Sequence, residues 1–180
     1  MRRLGAIAVV SVALAASADE LPLQLQVQLL QKTAAYITSL QPGDTGKVKV
    51  LVVHAGDKPT RVTEQLTASI NGLGQLGKHP AEAAPVALVS LKTAITSEKP
   101  QMLFLAPDLD EKGVAEVLEA CGTANIVTVS AVQAHVKQGI ILGFDLQEAK
   151  PRILVHLKQA RSQSVVFLSG LLTHSVIVEK

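Results

Sequence analysis

The sequence lacks tryptophan and has one tyrosine and three phenylalanines among its 180 residues. A platform for stacking nucleic-acid bases, or an aromatic cage for a cationic ligand, needs several aromatic rings and is therefore not expected. A strong excess of one charge is also missing, because 17 basic residues face 15 acidic ones. A nucleic acid gains little from such a balance, so no nucleic-acid partner is predicted.

Cysteine occurs once, at position 121, so an internal disulfide is impossible. Stability must come from a packed core. Apolar residues make up 48% of the chain and charged residues 18%, a balance that excludes a disordered chain. Cys121 closes a helical pattern and shares its apolar face with Val114 and Val117. We therefore expect a small buried residue rather than a reactive thiol.

The first 18 residues have the pattern of a secretory signal peptide. Residues 1–3 are a basic start, residues 4–16 are apolar or small, and residues 16–18 read Ala-Ser-Ala, an A-x-A cleavage site. The apolar run is shorter than the roughly 20 residues that a membrane span needs. The sequence therefore predicts export, with residues 19–180 as one mature domain that is not embedded in a membrane.

Helical and strand-like patterns alternate along the mature chain. Helices are predicted at residues 23–40, 59–70, 108–122 and 131–137, and buried strands at residues 48–53, 86–91, 102–106 and 126–130. This alternation predicts a single α/β domain with a mostly parallel mixed sheet and helices on both faces. We expect residues 139–146 and 152–157 to form an antiparallel hairpin at the C-terminal edge. Residues 158–178 are expected to be largely helical.

Motifs of catalysis and cofactor binding are scarce. Residues 72–77 match GxGxxG, but that fingerprint must follow a strand and open a helix, and here a helix precedes it. We predict a glycine-rich turn and no cofactor. The five histidines show no metal-ligand spacing and are expected at the surface or its boundary. Ser169 lacks the GxSxG motif of a nucleophilic serine. The histidine spacing therefore predicts no metal site, and the absence of catalytic motifs predicts no enzyme.

One edge of the predicted sheet carries a candidate ligand site. Parallel sheets bind small molecules beyond the carboxyl ends of their strands. The candidate residues at those ends are His54, Gly56, Asp57, Asp108 and Ser130. Gly-Asp and Pro-Asp are also ordinary turn sequences, so a simple turn is the alternative interpretation.

Four segments of the C-terminal half follow one another in a recognisable order and spacing. They are Thr-Val-Ser at 128–130, a glycine-containing strand ending near Phe144, the run 152–160 that leads into a helix, and residues 167–172 with their leucine pair. This order resembles the YfiR-like family of bacterial periplasmic proteins. The chain departs from the family at Gln41, Ala131 and His156, where the family often has an aromatic residue, aspartate and asparagine, and it lacks the family's paired cysteines. These departures concern the choice of partner more than the fold.

The resemblance implies a small periplasmic regulator without catalytic activity. The best-described members restrain an inner-membrane diguanylate cyclase by binding its periplasmic part. Such a regulator needs an apolar docking surface, and the candidates for partner binding are Phe167, Leu168, Leu171 and Leu172. Ordinary core packing is the alternative for each of them. A homodimer is also expected.

Two other functions remain open at this point. One is a small periplasmic solute-binding protein that works with a transporter or receptor, although two-lobed receptors usually need a longer chain. The other is a hydrolase whose site has no recognisable motif.

Overall fold

Helices and strands alternate along most of the computed structural model, which describes residues 21–178. The strands are β1 (Val48–His54), β2 (Gln75–Leu76), β3 (His79–Ala87), β4 (Met102–Leu105), β5 (Val127–Ser130), β6 (Leu142–Gln147), β7 (Lys150–Val155) and β8 (Ser175–Ile177). The α-helices are α1 (Leu23–Ala34), α2 (Arg61–Leu73), α3 (Leu91–Glu98), α4 (Glu111–Cys121), α5 (Gln133–Gln138), α6 (Leu157–Ser162) and α7 (Ser169–Thr173). The predicted signal peptide, residues 1–18, lies outside the described residues.

The strands form one eight-stranded sheet in the order β2-β3-β1-β4-β5-β6-β7-β8. Strands β3, β1, β4, β5 and β6 run parallel to one another, whereas β2–β3 and β6–β7 are antiparallel pairs. The predicted α/β class, the mostly parallel sheet and the β6–β7 hairpin are thus confirmed. The structure adds β8, which pairs parallel to β7 and forms the outermost strand on that side. Within residues 21–178, none of the helices has the length and apolar character required to cross a membrane.

The central strand β1 explains why the sheet is covered on both faces. Its side chains alternate between two separate apolar clusters. Val50 and Val52 pack with Leu66 and other residues on the side of α1 and α2, and Leu51 packs with residues of α3 and α4 on the other side. A strand buried on both faces must be apolar at successive positions, which is why it reads as a continuous run.

Three predicted segments were wrong in detail. The first helix was expected to continue to residue 40, but α1 ends at Ala34, and Ile37 forms an isolated bridge with Phe167. Residues 86–91 were expected to be a strand, but β3 begins at His79 and the chain turns into α3 at Leu91. A short apolar run cannot distinguish a strand end from a helix start. The tail at 158–178 is divided into α6, an extended stretch, α7 and β8 rather than being largely helical. Its Val165-Val166 and Val176-Ile177 pairs are β-branched and favour extended backbone.

The packing of α5 against the sheet requires a glycine in β6. A Cβ atom placed on Gly143 would collide with Cγ2 of Val136, and it would also lie 3.4 Å from Cβ of Leu154. Val136 is completely buried, so it has little freedom to move aside. Gly143 therefore sets how closely α5 approaches β6.

Replacing Gly143 by alanine is expected to lower the free energy of unfolding by about 1–3 kcal/mol, because the added methyl group overpacks the contact with Val136. Gly72→Ala is the matched control, since Gly72 lies on an exposed part of α2 and a Cβ there meets no atom within 4 Å. That control should gain about 0.5–1 kcal/mol. Urea unfolding measures both. An unchanged stability in Gly143→Ala would contradict the described packing of α5.

Candidate functional site

The carboxyl ends of β1, β4 and β5 meet at one edge of the sheet, as the sequence predicted. Val53 is in register with Leu105, and Leu105 with Ser130. The candidate ligand residues at this edge fall into two groups. Gly56, Asp57 and Asp108 lie in exposed loops, whereas His54 and Ser130 are buried. The structure therefore places them along one edge but does not gather them into one open cavity. Two surface pockets, of about 290 and 380 Å³, lie elsewhere and include none of them.

Ser130 belongs to a buried hydrogen-bond network that also contains His135. Nε2 of His135 is 3.0 Å from the carbonyl oxygen of Leu109, and Nδ1 is 2.9 Å from Oγ of Ser130. Because a carbonyl oxygen only accepts, Nε2 carries the proton and Nδ1 of the neutral ring accepts from the serine hydroxyl. The backbone N–H of Val132 in turn donates to Oγ of Ser130 at 3.0 Å. The network joins the turn after β5 to the loop before α4.

This network has the donor order of a serine nucleophile and its histidine base. Both side chains are enclosed, however, with exposed fractions of 0% for Ser130 and 4% for His135. Burial lowers the pKa of His135 because it penalises the charged imidazolium, although the hydrogen bond to Leu109 acts in the opposite direction. In this conformation a substrate has no route to the serine hydroxyl. The arrangement fixes two loops rather than presenting a nucleophile.

The prediction that the histidines lie at the surface or its boundary was wrong for three of them. His54, His135 and His156 are buried. Nδ1 of His156 accepts a hydrogen bond from the backbone N–H of Gln159 and caps α6. Nδ1 of His54 is enclosed and has no hydrogen-bond partner among the described residues. No group of three or more potential metal ligands occurs within residues 21–178.

His135 was not among the functional candidates predicted from the sequence. A signal was available, because Ser130 ends a buried strand and His135 lies five residues later, in the first turn of the following helix. That spacing lets the histidine ring fold back onto the strand end. Its second partner, the carbonyl of Leu109, is 26 residues away and could not be read from the local pattern.

Cys121 is buried on the inner face of α4, as predicted. It packs in one apolar cluster with Val114 and Val117. Burial raises the pKa of its thiol to about 12, because the thiolate would be poorly solvated there. The thiol is therefore protonated at neutral pH and is not a nucleophile.

The GxGxxG segment forms a turn, in agreement with the sequence interpretation. Helix α2 ends at Leu73, Gly74 adopts a left-handed conformation with φ of 67°, and β2 begins at Gln75. Gly72 thus lies in the last turn of α2, and Gly74 and Gly77 follow the C-terminus of that helix. The backbone N–H groups of a helix N-terminus, which bind pyrophosphate in dinucleotide sites, are not offered at this position.

The four candidate docking residues do not share one exposed surface. Leu171 is buried, and Phe167 and Leu172 are half-buried against the core. Leu168, in contrast, exposes 47% of its surface. Phe167 forms an antiparallel bridge with the buried Ile37, and both pack with the core, so this pair faces inward.

The outward side of that bridge is apolar. We call Tyr36, Val166 and Leu168 the bridge surface; each is exposed, by 41%, 55% and 47%. The backbone N–H of Leu168 donates to the carbonyl of Tyr36 at 2.8 Å, and Thr38 donates to Val166 at 2.9 Å. Successive side chains of an extended segment point to opposite sides, which turns Phe167 inward and its two neighbours outward. Tyr36 and Val166 were not among the sequence candidates.

The two outer edges of the sheet differ in how far they are blocked against pairing with another strand. At one edge, the short strand β2 pairs with the start of β3. Further along β3, the side chain of Asn71 donates to the carbonyl and accepts from the N–H of Ala83, and so occupies the outer side of the strand, which also contains Pro80 and Pro85. Prolines and such blocking groups prevent edge-to-edge pairing. No strand of the described chain pairs with the outer side of β8, and β8 contains no proline or charge.

Most exposed large apolar side chains belong either to the bridge surface or to β8. Within residues 21–178 the exposed ones are Tyr36, Val62, Val89, Val166, Leu168, Val176 and Ile177. Three of the seven form the bridge surface and two belong to β8. Neighbouring exposed apolar side chains, such as those of the bridge surface, are typical of a protein-protein contact.

Comparison with known proteins gives the family. The model of the YfiR/HmsC-like family matches residues 23–175, which is most of the chain. This chain belongs to the YfiR/HmsC-like family. The resemblance seen in the sequence is thereby confirmed. Among curated proteins, none matches the chain.

Two solved structures share the fold of this YfiR/HmsC-like protein. A conserved domain protein from Vibrio cholerae O1 biovar eltor str. N16961 has a TM-score of 0.61 at 13% identity, covering 88% of this chain and 60% of that one. The ABC domain in complex with L-Trp from Streptococcus pneumonia has a TM-score of 0.57 at 11% identity, covering 87% of this chain and 61% of that one. The chain thus spans about three fifths of each. At such identities the likeness extends to the α/β fold alone.

Cys121 is expected to resist thiol reagents in the native protein. At neutral pH its reaction should be more than about a hundredfold slower than in the urea-unfolded chain, because the raised pKa of the buried thiol leaves very little reactive thiolate. An absorbance assay with an aromatic disulfide reagent measures both rates. Comparable rates in the two states would contradict the burial of Cys121.

Proposed function

We propose that this YfiR/HmsC-like protein is a non-enzymatic periplasmic regulator that restrains an inner-membrane diguanylate cyclase by contacting its periplasmic part. Family membership over residues 23–175 is the observation that carries the proposal. The predicted signal peptide supports the periplasmic location, since the partner surface must be reached from outside the cytoplasm. The mechanism is a difference in affinity for the active and inactive states of the cyclase.

The bridge surface is the proposed docking site. Protein-protein contacts are built on a few aromatic and aliphatic anchors surrounded by a polar rim. Tyr36 and Leu168 provide such anchors, and the exposed Thr38 lies beside them as a polar neighbour. The backbone hydrogen bonds across the bridge hold the two chain segments in place before binding, which lowers the ordering entropy of the contact.

The free edge of β8 supports a homodimer. Val178 donates to the carbonyl of Val155, so β8 directs one set of backbone groups to β7 and the alternate set outward. A second copy could satisfy the outward groups by strand pairing across a two-fold axis. Val176 and Ile177 are both exposed and would be covered in such a pairing.

Solute binding is the alternative function, and the carboxyl edge argues against it. Ser130, expected to contact a solute there, is engaged in the buried network with His135, and Gly56 and Asp57 are in exposed loops. The L-Trp of the Streptococcus domain is a property of that protein, which shares 11% identity with this chain. A ligand at 100 times its dissociation constant would add about 2.7 kcal/mol of stability, so thermal-shift screening distinguishes the two functions.

The docking proposal predicts the behaviour of a charged variant in cells. Deletion of the gene should raise the cellular level of cyclic di-GMP, and reintroducing the native gene should return it to the level of the undeleted strain. With the double variant Val166→Asp/Leu168→Asp the cyclic di-GMP level should stay raised. Losing an apolar anchor costs about 2 kcal/mol or more of binding free energy, which is roughly 30-fold in Kd. Nucleotide extraction and mass spectrometry measure the cyclic di-GMP level.

Val89→Asp is the matched control. Val89 is 83% exposed, just before α3 and apart from the bridge surface, so an aspartate there adds charge without touching the docking site. It should restore the native level. Immunoblots of the periplasmic fraction must show equal amounts of each protein. Unchanged cyclic di-GMP after deletion rejects the cyclase as partner, and full restoration by the double variant rejects the bridge surface.

A further inference from the structure

His135 is the only described side chain that fastens the loop before α4 to the turn after β5 by hydrogen bonds at both ring nitrogens. We propose that His135 is a proton-sensitive clasp, which holds the carboxyl edge of the sheet closed at neutral pH and releases it when the surroundings become acidic. The clasp lies apart from the bridge surface, so this inference does not depend on the proposed partner.

The hydrogen bonds of His135 fit the neutral ring and are incompatible with a second proton on the ring. When Nδ1 carries no proton, it accepts a hydrogen bond from the hydroxyl of Ser130, and that hydroxyl oxygen accepts a hydrogen bond from the N–H of Val132. A proton on Nδ1 turns an acceptor into a donor. Oγ of Ser130 would then receive two N–H donors, and its own proton would lose its acceptor in a buried place.

The carboxylates closest in sequence to the clasp are engaged elsewhere. Asp108 and Asp110 flank Leu109, whose carbonyl accepts from His135. Oδ2 of Asp108 accepts from the N–H of Ala55, and Oδ1 of Asp110 accepts from the N–H of Gly113 as the cap of α4. Neither carboxylate has a hydrogen bond to the imidazole, so neither stabilises a charged ring directly.

The charged groups on the elements packed against α5 are also paired or exposed. Those elements are α4, β5, β6 and β7. Asp145 of β6 is bound to Arg152 of β7, and Glu116 of α4 lies 3.9 Å from Lys112. Lys137, on α5 itself, is positively charged and therefore disfavours a second positive charge on His135. The remaining charged groups are exposed: Glu111, Glu119 and Lys150. The thiol of Cys121 on α4 is buried and carries no charge at neutral or acidic pH, because burial raises its pKa to about 12.

The direction of the pH effect follows from burial. The folded pKa of His135 lies below the value of about 6.5 for a free histidine, mainly because desolvation disfavours the charged ring. The open form therefore binds a proton more readily than the closed form. The closed form is fully favoured above about pH 6.5, and its advantage decreases as the pH falls toward the folded pKa.

Hydrogen exchange of the Val132 amide tests the clasp, since that amide donates to Ser130. Its protection, corrected for the intrinsic rate, is compared with that of Val127, whose amide is bonded to Gln101 at the other end of β5. Between pH 7.5 and pH 5 the ratio should fall, because the open form binds a proton more readily than the closed form. His135→Gln should remove this pH dependence, and His174→Gln, at an exposed site, should retain it.

The ring itself provides a measurement that needs no variant. The NMR titration of the His135 imidazole in the native protein should have a midpoint below 6.5, and protection of Val132 should be lost over the same pH range. The inference is overturned if protection is constant between pH 7.5 and 5. It is equally overturned if His135→Gln shows the native pH dependence.

Discussion

The burial of three neighbouring parallel strands on both faces is the constraint on which the rest of this structure depends. Strands β1 and β4 present apolar side chains alternately to two helical layers, and β5 presents Val127 and Val129 to one layer, with the buried polar Thr128 and Ser130 at the alternate positions. Because the chain has one cysteine, unavailable for an internal disulfide, this packing provides the stability of the domain. It also limits where function can reside. With both faces of the central sheet covered, the strand ends, the sheet edges and the outer surface remain.

Those remaining places have contrasting chemistry. At the carboxyl ends, Ser130 and His135 fill the interior with satisfied hydrogen bonds, which rigidifies the edge and closes it to substrates. On the outer surface, Tyr36, Val166 and Leu168 leave apolar area in contact with water. Exposed apolar area is better suited to recognising a protein than to a reaction. The contrast supports the proposed regulation by contact, which needs a stable scaffold and an exposed apolar surface.

The fold class could be predicted from the sequence because hydrophobic periodicity is local. The run at β1 and the helical stripe of α4 identify their elements without knowledge of distant residues. The docking candidates could not be placed the same way. Thr38 and Val166 are 128 positions apart, and only their pairing decides that Phe167 turns inward while Leu168 turns outward. Buried histidines were missed for a similar reason, since His135 is satisfied by a carbonyl from another loop. Tertiary partners decide such positions.

Site-specific photocrosslinking in intact cells tests the central claim most directly. A photoreactive amino acid replaces Leu168 in one strain and Val89 in another, and adducts are identified by mass spectrometry after irradiation. We expect an adduct between position 168 and the periplasmic part of an inner-membrane diguanylate cyclase, and none from position 89. Equal crosslinking from both positions, or a complete absence of any membrane signalling enzyme among the adducts of position 168, would contradict it.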